Sequence, residues 1–222
     1  MVKGFVSSMP IRTILPAIAR ARLQALLADG RRKLIGLAGP PGAGKSTLAQ
    51  AVVDVFPHLA QVVPMDGFHL AQAELQRLGR ADRKGAPDTF DSAGYVALLR
   101  RLRNQTAAET IYAPEFQRHI DEPLAGAIAV HPSTQLVITE GNYLLLDEGH
   151  WAHVAALLDD VWYVDIDDRL RVDRLTRRHQ AFGRSAQEAV DWIDATDEPN
   201  ARLIASSRPR AKFDFRWEEE EA

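Results

Sequence analysis

An α/β fold, a three-layer α/β/α sandwich with a mainly parallel sheet, is what this 222-residue chain predicts. Three observations point to it. Short runs rich in β-branched and aromatic residues recur along the chain, nearly continuous in apolar character, as strands covered on both faces are. Stretches with apolar residues at helical spacing separate them, and strands that alternate with helices pair in parallel. The first run also passes through a glycine-rich turn directly into a helix.

Taken in order, RTILPAIARARLQALLAD (12 to 29) places Ile14, Leu15, Ile18, Leu23, Leu26 and Leu27 at roughly helical spacing, with Gly30 as the stop. An amphipathic N-terminal helix is expected there. KLIGLAG (33 to 39) reads as a buried strand and KSTLAQAVVDVF (45 to 56) as a helix ended by Pro57. AQVVPM (60 to 65), QLVITE (135 to 140) and VWYVDI (161 to 166) read as further strands. YVALLRRLRNQ (95 to 105) and RLRVDRLTRRHQ (169 to 180) are the clearest intervening helices, and AKFDFRW (211 to 217) alternates charge with aromatics as a last strand. Loops are expected around 79 to 91 and 112 to 123. No repeat or linker interrupts the chain, so one domain over 1 to 222 is expected, with its core at about 33 to 217.

Composition narrows the chemistry. A formal net charge of -3 exerts no overall pull toward nucleic acid or membrane, and neither partner is expected. The chain has no cysteine, which excludes disulfides, thiol nucleophiles and Cys-based zinc sites. MVKGFVSSMP at the start lacks the apolar core and cleavage site of a signal peptide, and no segment approaches ~20 continuous apolar residues. A soluble, cytoplasmic protein is expected, with Glu218 to Glu221 as a solvated tail.

GPPGAGKST (39 to 47) fits the G-x-x-x-x-G-K-[ST] pattern between a predicted strand and helix, the setting in which that pattern has a mechanism. Glycines let several N–H groups turn inward around a phosphate, and the helix presents its positive end. A nucleoside triphosphate is therefore expected across Gly39, Pro40, Pro41, Gly42, Ala43, Gly44, Lys45, Ser46 and Thr47. Lys45 would reach the β- and γ-phosphates and Ser46 would place a hydroxyl on Mg²⁺. The fold expectation sharpens accordingly to a P-loop NTPase-type sandwich.

VVPMDGFHL (62 to 70) and LVITEGNYLLL (136 to 146) each end an apolar run on an acid followed by glycine. Carboxyl ends of neighbouring parallel strands converge on the ligand crevice. Glu140 is expected as the second metal partner. Phosphoryl transfer to an alcohol needs a carboxylate at the attacking hydroxyl, and Asp66 fits that role, with a metal-shell acid or a turn former as the other readings. His69 is either a substrate contact or a structural hydrogen-bonding residue. Arg171, Arg174 and Arg178 recur at intervals of three and four residues with Arg177 beside them, a cluster able to clamp phosphates or, alternatively, a solvated face balanced by Asp167, Asp168 and Asp173. His150 and His153 lack a third metal ligand; Trp192 and Ile193 read as core.

The motifs GPPGAGKS, PMDGFH, RKGAPDTFD, YAPEFQRHIDEP, LVITEGNYLLL and DRLTRRHQAFGRS, in this order, resemble the phosphoribulokinase, uridine kinase and type I pantothenate kinase superfamily over about residues 33 to 215. Within it the chain is similar to small kinases labelled fructose transport system kinase or nucleoside/nucleotide kinase. The resemblance implies that Asp66 is the catalytic base, that Glu140 is the metal-linked acid, and that Arg174 and Arg178 close over ATP from a helical lid at about 169 to 187. It also implies that 79 to 91 helps form the acceptor side, where Lys84 and Asp88 are candidates for substrate contacts, a charged surface loop being the other reading. Arg118 stands where pantothenate kinases carry histidine, which lowers that activity and suits a polyol, carboxylate or phosphorylated acceptor. His119 is a further acceptor candidate, and 197 to 207 is expected as an adenine-side loop with Asn200 as a base contact.

The expectation is thus an ATP- and Mg²⁺-dependent small-molecule kinase acting on an alcohol group, with a sugar such as fructose first among the acceptors. A nucleoside or pantothenate-like alcohol is the alternative within the class. Outside it stand an NTP-hydrolysing switch, which lacks an N-K-x-D motif here, and a non-catalytic nucleotide-binding module. A homodimer is left open.

Overall fold

The computed structural model describes residues 14–217, so the opening residues and the acidic tail expected at 218 to 221 lie outside the described residues. Helix α1 spans Ala17–Leu27, shorter at its start than the spacing predicts. Proline disfavours helical backbone in the residue before it, and Pro16 is the N-cap. Ile14 and Ile18 are exposed, while Leu15 and Leu23 are buried. Gly30 closes the stop with positive φ.

Strand β1 (Lys33–Ala38) leads through the glycine loop into helix α2 (Lys45–Val55). Strand β2 covers only Ala60–Val62, because Pro64 has no N–H to give the ladder. The chain then turns through a single 3₁₀ turn, Met65–Phe68, so Asp66 sits in a turn beyond the strand. Helices α3 (Gln72–Arg77) and α4 (Ser92–Arg103) flank the 79 to 91 segment, which holds two further 3₁₀ turns. Asp91 caps α4 by accepting from Gly94 N–H at 2.8 Å, which starts that helix before Tyr95.

The largest departure is at 112 to 123. In place of a loop, strands β3 (Ile111–Gln117) and β4 (Glu122–Val130) form an antiparallel hairpin. Proline and charge disguise it in the sequence. Pro114 is tolerated because the register shifts between Ala113 and Glu115, a bulge that leaves the ring outside the ladder.

Strand β5 (Leu136–Gly141), strand β6 (Asp160–Asp165), helices α5 (Asp168–Ala181), α6 (Ala186–Trp192) and α7 (Glu198–Ser207) and strand β7 (Phe213–Arg216) complete the fold. The sheet runs β2-β5-β1-β6-β7, every neighbouring pair parallel. Side chains alternate cleanly between its faces. Leu34, Val137, Val161 and Tyr163 join Tyr95, Leu99 and Trp151 on one side. Ile35, Ile138, Trp162 and Val164 join Leu23, Leu48, Val52 and Phe215 on the other. The three-layer fold with a mainly parallel sheet follows from that alternation.

Candidate active site

A cleft of about 1510 Å³ lies over the carboxyl ends of the strands and is lined by Gly44 and Lys45 after β1, Asp66 after β2, Glu140 and Asn142 at the end of β5, and Trp217 after β7. The glycine loop forms its floor. Gly42 and Gly44 take φ of 83° and 89°, the left-handed region open to glycine at little cost. At Gly42 a Cβ would also stand 3.0 Å from the Arg171 carbonyl oxygen, so the loop rests directly on α5.

Lys45 is buried, and its ammonium donates to the carbonyl oxygens of Gly39 at 2.8 Å and Pro40 at 3.0 Å and to Asn142 Oδ1 at 2.8 Å. Burial pushes its pKa down to about 8, against the opposing pull of Glu140 and Asp66. The Ser46 hydroxyl donates to Glu140 Oε1 at 2.8 Å. Glu140 is itself buried, and burial, with Asp66 adding to it, pushes its carboxyl up while Lys45 opposes. Thr47 is exposed at the cleft wall.

The Ser46–Glu140 pair supplies hard oxygen donors beside the phosphate loop, a set that fits Mg²⁺, which keeps water and phosphate oxygens for its other positions. Among the described residues no group of three or more His, Cys, Asp or Glu is placed to hold a metal, and His150 and His153 are exposed. Any cation bound here would depend on ligand oxygens as much as on the protein.

Asp66 is positioned by the glycine after it. A Cβ on Gly67 would lie 2.3 Å from the Pro114 carbonyl oxygen, so the hairpin packs against bare backbone at that point. Arg118, from the end of the hairpin, reaches back with Nη2 3.3 Å from Asp66 Oδ2. His69 donates both its backbone N–H (3.1 Å) and its Nδ1–H (2.7 Å) to the Asp66 carbonyl oxygen. That fixes the tautomer, leaving Nε2 as an acceptor. The ring is wedged against Phe90 and Phe116, with centroids at 4.0 and 4.6 Å, and burial lowers its pKa against the opposing pull of Asp66, which favours the neutral imidazole.

Lys84 and His119 also line the cleft. Lys84 Nζ is tied to Asp121 Oδ2 at 2.7 Å and stands over the Phe116 ring. Asp88, the other candidate on this segment, is exposed, pairs with Arg83 at 2.8 Å and does not line the cleft, the placement of a charged surface loop. The acceptor-side segment is instead anchored by Tyr143, whose hydroxyl donates to the Gly85 carbonyl, and by Trp151, whose Nε1 donates to the Pro87 carbonyl at 3.3 Å.

Of the α5 arginines, Arg174 and Arg178 line the cleft. Arg178 is held below the ordinary guanidinium range by burial, with neighbouring Arg118 adding to the effect. Arg171 does not join them. It is buried in ion pairs with Asp168 and Glu198 beneath the glycine loop, and Arg177 is an exposed partner of Asp173 at 2.9 Å. Helical spacing puts the side chains on related faces but does not say which of them the neighbouring acids take up.

The 197 to 207 segment is a helix, α7, rather than a loop, since Glu198 and Pro199 fill its first turn and a π-helical turn at Ile193–Asp197 feeds into it. Asn200 is buried at the cleft wall. Asp197 takes a hydrogen bond from His179 Nε2 at 2.7 Å. Ile193 is core as expected, but Trp192 is not: it lines the cleft and carries the Arg184 guanidinium 3.7 Å above its ring. Sequence reasoning also missed Asn142. Its one signal is its place directly after Glu140 and Gly141, and only the pairing of β1 with β5 brings it to Lys45.

Together the parallel sheet, the glycine loop and this cleft define a P-loop kinase. A family model described as Phosphoribulokinase / Uridine kinase family matches residues 34–213, and the chain belongs to that family. It is an ATP-dependent, small-molecule kinase by that membership. A Schizosaccharomyces pombe protein named "Putative uridine kinase" is 34% identical over 194 residues, covering 82% of each chain. A crystal structure described as a "putative fructose transport system kinase" from Silicibacter sp. superposes with a TM-score of 0.79 at 36% identity, over 88% of this chain and 97% of that one. The Saccharomyces cerevisiae YFH7 structure, 19% identical, covers 92% of this chain and all of its own with a TM-score of 0.76, a likeness of fold.

Proposed function

We propose that the protein transfers the γ-phosphoryl group of ATP to a hydroxyl of a small polyhydroxylated metabolite, with a sugar such as fructose the first acceptor to test. One observation carries this reading. The Asp66 carboxylate and the Lys45 and Ser46–Glu140 groups face one cleft, and around Asp66 stand Arg118, Lys84 and His69.

In the reaction the acceptor oxygen attacks the γ-phosphorus, the bond to the β–γ bridging oxygen breaks, and ADP leaves with that electron pair. Asp66 orients the attacking hydroxyl and takes its proton. Lys45 exchanges the Gly39 and Pro40 carbonyls and Asn142 for phosphate oxygens. Arg174 and Arg178 stabilise the charge that spreads over the transferring group. Ser46 and Glu140 would hold Mg²⁺, which when bound neutralises phosphate charge. His69 Nε2 accepts from an acceptor hydroxyl, and Arg118, released from Asp66, binds the acceptor beside His119 and Lys84.

The test is ADP release with Mg-ATP across sugars, polyols, nucleosides and pantothenate analogues. Acceptor-dependent turnover in one arm is the expected result. ADP release at one rate whether or not an acceptor is added would replace this reading with a hydrolytic switch.

A further inference from the structure

Among the described residues one group donates to the Asp66 carboxylate. It is the Arg118 guanidinium, with Nη2 3.3 Å from Oδ2. His69 directs both of its donors to the Asp66 backbone carbonyl instead. The Arg118 side chain, in turn, has no other acceptor among the described residues. Arg118 follows β3 directly, on a turn in which Ile120 N–H donates to the Gln117 carbonyl at 3.2 Å. That hairpin is seated on the Asp66 turn where Gly67 meets Pro114, so carboxylate and guanidinium are carried on two elements packed backbone to backbone. Both charges act on Lys45, Glu140 and Arg178, which places the pair within electrostatic reach of the groups assigned to the phosphates.

A carboxylate that takes a proton from an alcohol can take one from water, and water is far more abundant. In that side reaction the water oxygen attacks the γ-phosphorus, and the bond to the β–γ bridging oxygen breaks. ADP leaves with that electron pair, the water proton passes to Asp66, and inorganic phosphate is the second product. A guanidinium on Oδ2 competes for a lone pair that would accept this proton. A single water that displaced it would part the two charges and answer only one of them. A polyhydroxylated molecule offers one hydroxyl as donor to Asp66 and a neighbouring oxygen as acceptor to Arg118, so both groups stay paired as they separate.

We infer that Arg118 guards the base: paired with Asp66 it holds back transfer of the γ-phosphoryl group to water, and a molecule that answers both charges at once opens the pair. This rests on the kinase reading above and adds to it a means of choosing alcohol over water. In this role Arg118 is a positioning residue that acts through Asp66. With side chains 47% and 27% exposed, the pair opens readily, and the effect to be read is a fewfold one.

The experiment measures phosphate release by the full chain from Mg-ATP alone, beside ADP release on the acceptor panel above. Arg118→Ala should release phosphate from Mg-ATP alone about fivefold faster than wild type, the upper end of what an exposed ion pair withholds. Its kcat/KM on whichever panel acceptor turns over should fall about tenfold. The opposite signs are the signature, because a variant that merely loosened the hairpin would lower both. Arg118→Lys, which keeps the charge without the planar fork, should fall between Arg118→Ala and wild type. Adding Asp66→Asn to Arg118→Ala should bring phosphate release back to the wild-type rate or below, since the extra hydrolysis runs through Asp66. Phosphate release unchanged or slower in Arg118→Ala overturns the inference and leaves the kinase reading standing. A faster release that survives Asp66→Asn does the same. Wild-type ADP release at one rate with and without every acceptor sinks both.

Discussion

Lys45 donates to three acceptors of its own protein in the free chain, two loop carbonyls and Asn142, and any triphosphate must compete with them for the same ammonium. With the pKa of that group pushed down to about 8 by burial, roughly half of it is neutral at that pH. A bound triphosphate favours the charged form and raises the value. Binding therefore takes up a proton above about pH 8, and affinity falls as pH climbs toward the bound-state value, by up to about tenfold per unit. Calorimetry in two buffers of different ionisation heat should read uptake approaching about one proton per ATP at pH 9 and little at pH 7; equal uptake at both, or none, contradicts this. The glycine loop, Lys45, Ser46, Asp66 and Glu140 were legible in sequence because each follows a strand, and parallel strands bring their carboxyl ends together. Asn142, Trp192 and the distinction between Arg178 and Arg171 were not. Those depend on which acid a side chain meets across the fold, and nothing local encodes it.

At the scale of elements, the hairpin β3–β4 explains why Asp66 stands where it does. It lies on the Met65–Phe68 turn with Gly67 facing Pro114, backbone against backbone, where an added Cβ would come within 2.3 Å of a carbonyl oxygen. Gly67→Ala should push the hairpin off the turn, lowering stability by about 1–3 kcal/mol, as overpacking does, and moving Arg118 and Asp66 apart. Denaturant unfolding and acceptor KM check it. An alanine variant with wild-type values in both would show that the hairpin does not position the site. The sheet strands and major helices could be read from local pattern, since buried parallel strands are apolar throughout. The hairpin could not. Its strands are half-exposed, interrupted by proline and paired only to each other, so neither periodicity nor propensity marks them.

Across the whole molecule, helix α1 is fastened to the sheet beside the cleft by Arg22, whose Nε and Nη2 reach Asp160 at 2.6 and 3.0 Å, while Trp162 Nε1 reaches the same carboxylate at 2.8 Å. Burial pushes the Asp160 carboxyl up, but the hydrogen bonds from Arg22 and Trp162 outweigh it and hold the group below the usual carboxylate range. Stability from this pair is present above the unfolded value and is lost as pH falls through the depressed folded one. Arg22→Ala should cost about 1–2 kcal/mol at neutral pH, a figure kept low because Arg22 is partly open to solvent. The gap to wild type should close on acidification below about pH 4; a gap that widens there would contradict the assignment. No helix among the described residues is long and apolar enough to cross a membrane. The sheet order, the glycine loop and the cleft converge on the proposed reaction, in which Asp66 activates an acceptor hydroxyl. The direct measurement is acceptor-dependent ADP release by wild type and Asp66→Asn, with Mg-ATP affinity measured on both. Turnover of the Asp66→Asn protein should fall by about 10²–10⁴-fold, the usual worth of a general base, while ATP affinity stays within a fewfold. Equal turnover by the two proteins would remove Asp66 from the chemistry.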